Sequence, residues 1–301
     1  MPPARSVAPE AVPSHVGTDL LLLLMALIWG VNFISVKYAT EQMAPLAFNG
    51  MRVTIAASTL VLISLVMRGA WPDRRTTIAL LLLGALGNGI YQLFFIEGIA
   101  RTQAGAASLV LAASPAIIAI IGRIRGVERV TRRRVAGITA SLGGMALVVF
   151  GTEHVASRTP ITLTGNLLVL GACICWSLYT VLLKPYTERV DGVRLSTLTM
   201  VGGAVPLLFV TGSAIAHTRW LALPALAWSA LLYSSIIALV VAYLFWYRGV
   251  KVIGPTRTAL YANLQPAVAL VAAWPMLGEV PTPLQIVGAV AIMAGVLLTR
   301  A

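Results

Sequence analysis

Long apolar runs separated by short polar breaks extend along most of the chain. A helix needs roughly 20 mostly apolar residues to cross the ~30 Å hydrocarbon core of a bilayer. By that criterion the pattern predicts ten transmembrane helices, here called spans. They cover residues 19–38, 45–67, 77–99, 104–123, 132–151, 163–184, 195–215, 225–248, 256–276 and 283–300. Residues 1–18 precede them and are expected to form a disordered cytoplasmic tail.

Composition agrees with this pattern. Of the 301 residues, 58% are apolar and 11% are charged, whereas about a quarter of the residues of an ordinary soluble domain are charged. The fold class that follows is an all-α integral membrane protein.

Basic residues are distributed unevenly between the two sides of the membrane. If the amino terminus is cytoplasmic, all but five of the 22 Lys and Arg residues lie on the cytoplasmic side. The five on the outer side are Lys37, Arg52, Arg101, Arg158 and Arg219. This bias predicts that both termini are cytoplasmic and that the protein lies in the cytoplasmic (inner) membrane. The densest basic run, 122–134, is typical of contact with anionic lipid heads, so we expect membrane lipid, and no nucleic acid, as a partner.

The two halves of the chain are similar to each other. A shift of 147 residues places Trp29, Lys37 and Glu41 on Trp176, Lys184 and Glu188, and a shift of 151 residues aligns Pro115, Gly137 and Gly144 with Pro266, Gly288 and Gly295. We therefore predict two repeats, 19–151 and 152–301. Because each contains five spans, the second must enter the membrane from the opposite side. Inverted repeats of this kind are characteristic of transporters.

Several segments also resemble a known family. LIWGVNFISVK (27–37), APLAFNGMR (44–52) and LQPAVALVAAWPMLGEVPTPLQIVGAVAIMAGV (264–296) resemble the EamA repeat of the drug/metabolite transporter superfamily. The shared features are Trp-Gly-x-Asn, the proline of span nine, the Gly-Glu pair and the spaced glycines of span ten. The resemblance covers nearly the whole chain twice and implies a ten-helix exporter of small metabolites. YddG-type amino-acid exporters are the nearest group that it suggests.

Polar and aromatic side chains share single faces of several spans. Residues three or four apart lie on one face of a helix, which groups Trp29 with Asn32 in span one. A carboxamide that faced lipid would leave its donors and acceptors unpaired at a cost of a few kcal/mol, so these faces should point inward. The candidate substrate-binding residues are Trp29, Asn32, Asn88, Tyr91, Gln92, Trp176, Tyr179, Tyr243, Trp246, Tyr261 and Gln265.

Two other interpretations of these residues stay open. The amides could only hydrogen-bond one helix to another, as Asn and Gln often do within membranes. Tyr243, Trp246 and Tyr247 precede Arg248 and could belong to an aromatic belt at the membrane interface.

Prolines and glycines suggest where helices bend and where they touch. Pro115 and Pro266 each free the carbonyl four residues earlier, that of Leu111 or Ala262. Such a carbonyl could face a cavity and accept from a substrate ammonium, or the proline could only kink the helix for packing. The glycines of spans five and ten, at positions 137, 143, 144, 288 and 295, indicate close helix contact, either within the chain or across a dimer.

The sequence lacks the groups that catalysis or a cofactor would need. The carboxylates fall at span ends or in loops, and only Glu97, with Arg101 one turn on as its expected partner, approaches the membrane interior. Cys173 and Cys175 are expected to be buried, and no Walker-type phosphate loop occurs. We therefore expect neither an enzyme nor a bound cofactor or metal.

The function that these observations favour is alternating-access export of a small-molecule substrate. Amino acids, including aromatic or large apolar ones, suit a site of aromatic rings beside amides. Other amphipathic metabolites, organic cations and a non-transport structural role remain alternatives. A monomer and a homodimer are equally compatible with the sequence.

Overall fold

The computed structural model describes residues 15–67, 69–99, 101, 110–111, 113–127, 131–150, 163–265, 267–268 and 282–298, and every regular element in these ranges is helical. The helices are α1 (His15–Gln42), α2 (Pro45–Val66), α3 (Arg74–Gly84, continued by Ala85–Ile90 and Tyr91–Ile99), α4 (Ser114–Ile124), α5 (Arg132–Phe150), α6 (Leu163–Thr187), α7 (Gly192–His217), α8 (Ala225–Leu232, continued by Tyr233–Val241 and Ala242–Val252), α9 (Pro255–Ala262) and α10 (Pro283–Leu298). A short 3₁₀ turn, Trp220–Ala222, precedes α8.

Local sequence explains where many of these helices begin. Proline occupies the first turn of α2, α4, α9 and α10, where its missing N–H would have no helical partner in any case. Aspartates cap two others. Asp73 accepts from the backbone N–H groups of Arg75 and Thr76 at the start of α3, and Asp191 accepts from those of Val193 and Arg194 at the start of α7.

Six helices of the described chain, α1, α2, α3, α6, α7 and α8, are long and apolar enough to cross a membrane. Their outward faces carry large exposed apolar side chains, such as Val66 at 84% and Phe209 at 86% exposure. Such a surface suits lipid, where backbone groups must be bonded within the helix. The helices α4 and α10 are apolar but shorter. The total of ten spans therefore stays a prediction.

Helix positions agree with the sequence where the two can be compared. Span two, predicted over 45–67, is Pro45–Val66, and span six, predicted over 163–184, is Leu163–Thr187. Spans four and nine lie partly outside the described residues, which include only the α4 and α9 portions of them.

Two helices contain π-helical segments, which the sequence does not predict. One is Ala85–Ile90 in α3 and the other is Tyr233–Val241 in α8. The 151-residue shift carries Ile90 onto Val241, so both segments end at equivalent positions of the two repeats. Such bulges are frequent at functional sites, where they rotate the following side chains relative to a regular helix.

Glycines bring α5 and α10 into close contact. A Cβ atom on Gly144 would lie 2.6 Å from the carbonyl oxygen of Gly288, and a Cβ on Gly295 would lie 2.6 Å from that of Gly137. Within the chain, the glycine stripe therefore joins α5 to α10. The 151-residue shift converts the first contact into the second. Gly143 differs, because a Cβ atom there would have no described neighbour within 4 Å.

Candidate functional site

Seven rings from α1, α3, α6 and α8 meet in the interior of the helix bundle. We call them the aromatic cluster; its members are Trp29, Tyr91, Trp176, Tyr179, Tyr243, Trp246 and Tyr247. Six of the seven are candidates that the sequence singles out, so the structure brings them together. Whether they contact a substrate stays a prediction.

Trp176 lies at the centre of the aromatic cluster. Its ring centroid is 5.0 Å from that of Trp246, 5.2 Å from Tyr91, 5.5 Å from Tyr179, 5.8 Å from Tyr243 and 6.2 Å from Trp29. The contacts with Trp29 and Tyr243 are edge-to-face, an arrangement that aromatic quadrupoles favour. Trp29 and Trp176 are equivalent residues of the two repeats, and they meet in this contact.

Tyr243, Trp246 and Tyr247 do not form an interfacial belt. All three are buried, and Tyr243 and Trp246 contact Trp29 and Trp176. Their place in the sequence, just before Arg248, suggests a membrane surface. The fold instead directs them inward, just after the π segment of α8.

Three hydrogen bonds join α1 to the π segment of α8. The Trp29 indole N–H donates to the carbonyl of Ala238 (2.9 Å), and the Tyr233 hydroxyl donates to the carbonyl of Ile28 (3.0 Å). The Ser234 hydroxyl donates to Asn32 Oδ1 (2.6 Å). Asn32 thus does bond one helix to another, as one interpretation of the sequence expects. These bonds fix the orientation of the Trp29 ring.

At its other side, the aromatic cluster ends in a pair of hydroxyl groups. The hydroxyls of Tyr179 and Tyr247 lie 2.6 Å apart, and that of Tyr247 is 3.2 Å from Thr199 Oγ1. Asn88 Nδ2 donates to the Thr199 carbonyl (3.2 Å). Gly87 allows this packing, since a Cβ there would lie 2.3 Å from the Tyr179 ring. The pair joins α6, α7 and α8 in one buried polar layer.

The same two helices, α6 and α8, are also joined where both end. Lys184 Nζ donates to the carbonyl of Lys251 (2.9 Å) and to Glu188 Oε1 (2.7 Å). The Lys184 ammonium, first by its hydrogen bond and then by its charge, lowers the pKa of the Glu188 carboxyl. The ammonium therefore holds both the α8 carbonyl and an ionised partner.

Arg52 is the site residue that the sequence reasoning misses. Its placement on the outer side of the membrane stays a prediction, but it lies inside α2 and is only 3% exposed. Its Nε–H donates to Asn49 Oδ1 (3.0 Å) and its Nη2–H to Gln92 Oε1 (2.8 Å). The signal is present as Asn49 and Arg52, three residues apart on one face of an apolar span.

Gln92 is therefore placed beside a charge. It follows Tyr91 of the aromatic cluster, and its side chain and backbone carbonyl both accept hydrogen bonds from α2, the latter from Asn49 Nδ2 (3.4 Å). The Arg52 guanidinium is thus bonded to the residue that directly follows Tyr91. A cation thus borders the aromatic cluster.

Tyr261 and Gln265 lie on the other side of α1. The Tyr261 hydroxyl donates to Asp19 of α1, and the Gln265 carbonyl lies 3.1 Å from a Cβ position on Gly30. Asp19 is expected at a span end, yet it is buried in the second turn of α1. Glu97 pairs with Arg101 as predicted.

The proline predictions have different outcomes. Pro115 stands in the first turn of α4, and the Leu111 carbonyl accepts from Ser114 Oγ (2.5 Å) with the Cys173 thiol 3.9 Å away. That carbonyl is therefore occupied by the protein's own groups, which supports the packing interpretation for Pro115. Pro266 lies outside the described residues.

No group of three His, Cys, Asp or Glu side chains that could hold a metal occurs among the described residues. The chemistry of this region is instead that of apolar rings bordered by amides, hydroxyls and one guanidinium. Such a lining suits a molecule with an apolar body and a polar head.

One known protein family matches most of this chain. The model of the EamA-like transporter family matches the chain twice, over residues 17–150 and 163–301. The chain belongs to the EamA-like transporter family. It is accordingly an integral membrane protein of a transporter family, and the family indicates a small-molecule substrate rather than an enzymatic reaction.

Individual relatives are similar over nearly their whole length. The uncharacterized transporter YyaM of Bacillus subtilis (strain 168) is 28% identical over 290 residues, which cover 94% of this chain and 93% of YyaM. A protein of Streptantibioticus cattleyicolor named "probable terminal-alkyne amino-acid exporter" is 26% identical over 277 residues, 92% of this chain and 91% of that protein. A crystal structure with 17% identity superposes with a TM-score of 0.74 over 94% of this chain and 96% of that one, which shows a common fold.

Proposed function

We propose that this EamA protein is a secondary transporter that exports amino acids, including aromatic or large apolar ones, across the cytoplasmic membrane by alternating access. The observation that carries the proposal is the aromatic cluster with polar groups at two of its edges. Rings from α1, α3, α6 and α8 pack together around Trp176, so a substrate that inserts among them would contact all four helices at once.

The proposal includes ten spans in two inverted repeats. Reciprocal contacts support it: Gly144 against Gly288 and Gly295 against Gly137 are one contact repeated under the 151-residue shift. Contact between the equivalent residues Trp29 and Trp176 also supports a two-fold relation between the halves. Substrate sites of inverted-repeat transporters lie at such an interface.

The π segments support a mechanism in which α3 and α8 change conformation. A π segment has a non-standard hydrogen-bond register, and such segments often mark functional positions. In α8 the segment is held by Trp29, Tyr233 and Asn32 through the three bonds to α1. We infer that α1 and this segment move together, while the Tyr179–Tyr247 pair opens on the other side of the substrate.

Amino acids are favoured over the other candidate substrates for two reasons. The Streptantibioticus relative carries an amino-acid exporter's name. In addition, the buried cation Arg52 would repel an organic cation from the edge of the aromatic cluster.

A counterflow experiment in liposomes tests the proposal. Purified protein is reconstituted in vesicles loaded with unlabelled L-phenylalanine, and entry of labelled L-phenylalanine is followed. We expect entry to saturate and to be faster in loaded than in empty vesicles, because only a carrier exchanges substrate. Entry that neither saturates nor responds to loading would indicate a pore, and no entry of labelled L-phenylalanine would refute the export of large apolar amino acids.

Orientation is tested separately with single-cysteine variants. In a chain with Cys173 and Cys175 replaced by alanine, cysteines at positions 154 and 218 should react from outside with an impermeant thiol reagent, and those at 70 and 130 should not. Both termini would then be cytoplasmic, as the basic residues predict. The reverse labelling would contradict the direction of export.

A further inference from the structure

The charge of Arg52 has no carboxylate to balance it within the described part of the chain. Its two side-chain acceptors, on Asn49 and Gln92, are neutral amide oxygens, and no described carboxylate forms an ion pair with it. Arg194, another buried arginine, does have one, because Asp191 lies 2.7 Å away. The two arginines thus differ in whether a carboxylate compensates for the buried charge.

Burial of an unpaired charge is costly, and neutral acceptors compensate for it only in part. The bonds to Asn49 and Gln92 use two of the five N–H donors of the guanidinium. Its planar face also lies near the Phe48 ring, with Cζ 5.5 Å from the ring centroid. Donors thus remain for an anion that the described part of the protein does not supply.

A second observation points to the same kind of ligand. Trp246 is completely buried in the aromatic cluster, yet its indole N–H has no hydrogen-bond partner among the described residues. Trp29, by contrast, donates its indole N–H to Ala238. An unpaired buried N–H is rare in folded proteins, so Trp246 also requires an acceptor from outside these residues.

Both groups border the same rings. Trp246 contacts Trp176 (5.0 Å) and Trp29 (5.6 Å). Arg52 donates to Gln92, the residue next to Tyr91, whose ring also contacts Trp176 (5.2 Å). Trp246 and Arg52 both have N–H donors to spare, and Arg52 is charged, whereas Asn88 Oδ1, in the polar layer with Thr199, is a buried acceptor without a described partner. The missing ligand is therefore an anionic acceptor attached to something apolar.

We propose that Arg52 binds the carboxylate of the transported molecule, while the aromatic cluster binds its apolar side chain. This inference rests on the proposed function and adds the substrate group that is recognised. A guanidinium matches a carboxylate in a planar, two-bond geometry that an ammonium cannot reproduce. The site therefore selects carboxylic acids over the amides and amines of the same apolar body.

Three probes with one ring test this selection: L-phenylalanine, L-phenylalaninamide and 2-phenylethylamine. Each is assayed by counterflow in vesicles that contain the wild-type protein. We expect L-phenylalanine to be preferred roughly 10- to 100-fold, the range expected for hydrogen bonds to a charged group. Equal transport of all three would overturn the role of Arg52 and leave the transporter proposal standing. Transport of none would overturn both.

Substitutions then assign the preference to Arg52. Arg52→Gln should remove most of the preference while the protein still moves apolar amines, and Arg248→Gln, an exposed arginine of α8, should leave it unchanged. Preference retained in Arg52→Gln would overturn the inference. If that variant fails to fold, as its melting temperature would show, Arg52→Lys decides: it keeps the charge, and we expect a KM for L-phenylalanine raised about tenfold. An unchanged KM would contradict binding by the guanidinium.

Discussion

Replacement of Trp176 by phenylalanine separates a substrate-binding ring from a ring that only fills the core. Trp176 contacts five other aromatic rings, and each aromatic pair contributes about 0.5–1.5 kcal/mol beyond area burial. Alanine would remove all of these contacts at a cost of about 3–5 kcal/mol and endanger folding. Phenylalanine keeps one ring and loses the rest of the indole.

For a substrate, the loss of one such contact corresponds to roughly a two- to tenfold weaker affinity. We therefore expect Trp176→Phe to raise the KM for L-phenylalanine by that factor in liposome counterflow. Trp228→Phe is the matched control, because Trp228 also packs against an aromatic ring, that of Trp220 at 5.8 Å, and lies outside the aromatic cluster. The reasoning is refuted if both variants raise the KM equally, or if Trp176→Phe lowers the melting temperature without changing the KM.

Three further predictions concern packing, a helix cap and an interhelical bond. Gly144→Ala should lower the melting temperature by an amount that corresponds to about 1–3 kcal/mol, because its methyl group would meet the Gly288 carbonyl. Gly143→Ala should not, because its methyl group would have no described neighbour within 4 Å. Equal melting temperatures of the two variants would contradict the close contact. Partial burial raises the pKa of Asp191, but hydrogen bonds from Arg194 and from the start of α7, together with the Arg194 charge, outweigh this effect and keep the pKa below its ordinary value. The ionised Asp191 therefore stabilises the folded protein fully above the unfolded pKa of about 3.9. This stabilisation is lost as the pH falls through the lowered pKa. The melting difference between wild type and Asp191→Asn should therefore vanish on acidification, and a difference that persists in acid would argue for a purely steric effect. Asn32→Ala deprives the buried Ser234 hydroxyl of its acceptor, at about 1–3 kcal/mol; if Asn32 also faces the substrate, Asn32→Ala/Ser234→Ala should regain stability without regaining transport.

The sequence predicts the inward-facing rings well. Helical spacing places Trp29 and Asn32 on one face, and the repeat carries the argument to Trp176, which the structure places beside Trp29. This succeeds because periodicity within one helix decides which side chains share a face. Burial in a bilayer then decides that a face with polar groups points inward.

The register between helices is beyond sequence reasoning. The burial of Arg52 is not apparent from the sequence, because charges near a span end are ordinarily exposed and its partner Gln92 lies 40 positions away in α3. The π segments are equally unpredictable, since an added residue per turn leaves no mark in an apolar run. The sequence predicts a free carbonyl at Leu111, but Ser114 is close enough to fill that position.

The reciprocal contact between α5 and α10 has a consequence for a divided chain. Because Gly144 meets Gly288 just as Gly295 meets Gly137, each surface is nearly complementary to a copy of itself, as in an isologous dimer. Separate halves could therefore assemble in three ways, two of them homodimers. A covalent connection raises the effective concentration of one half near the other to the millimolar range. Joining the halves in one polypeptide thus favours the pair of unlike halves. Only this pair brings Arg52 of the first half and Trp246 of the second half to the same rings.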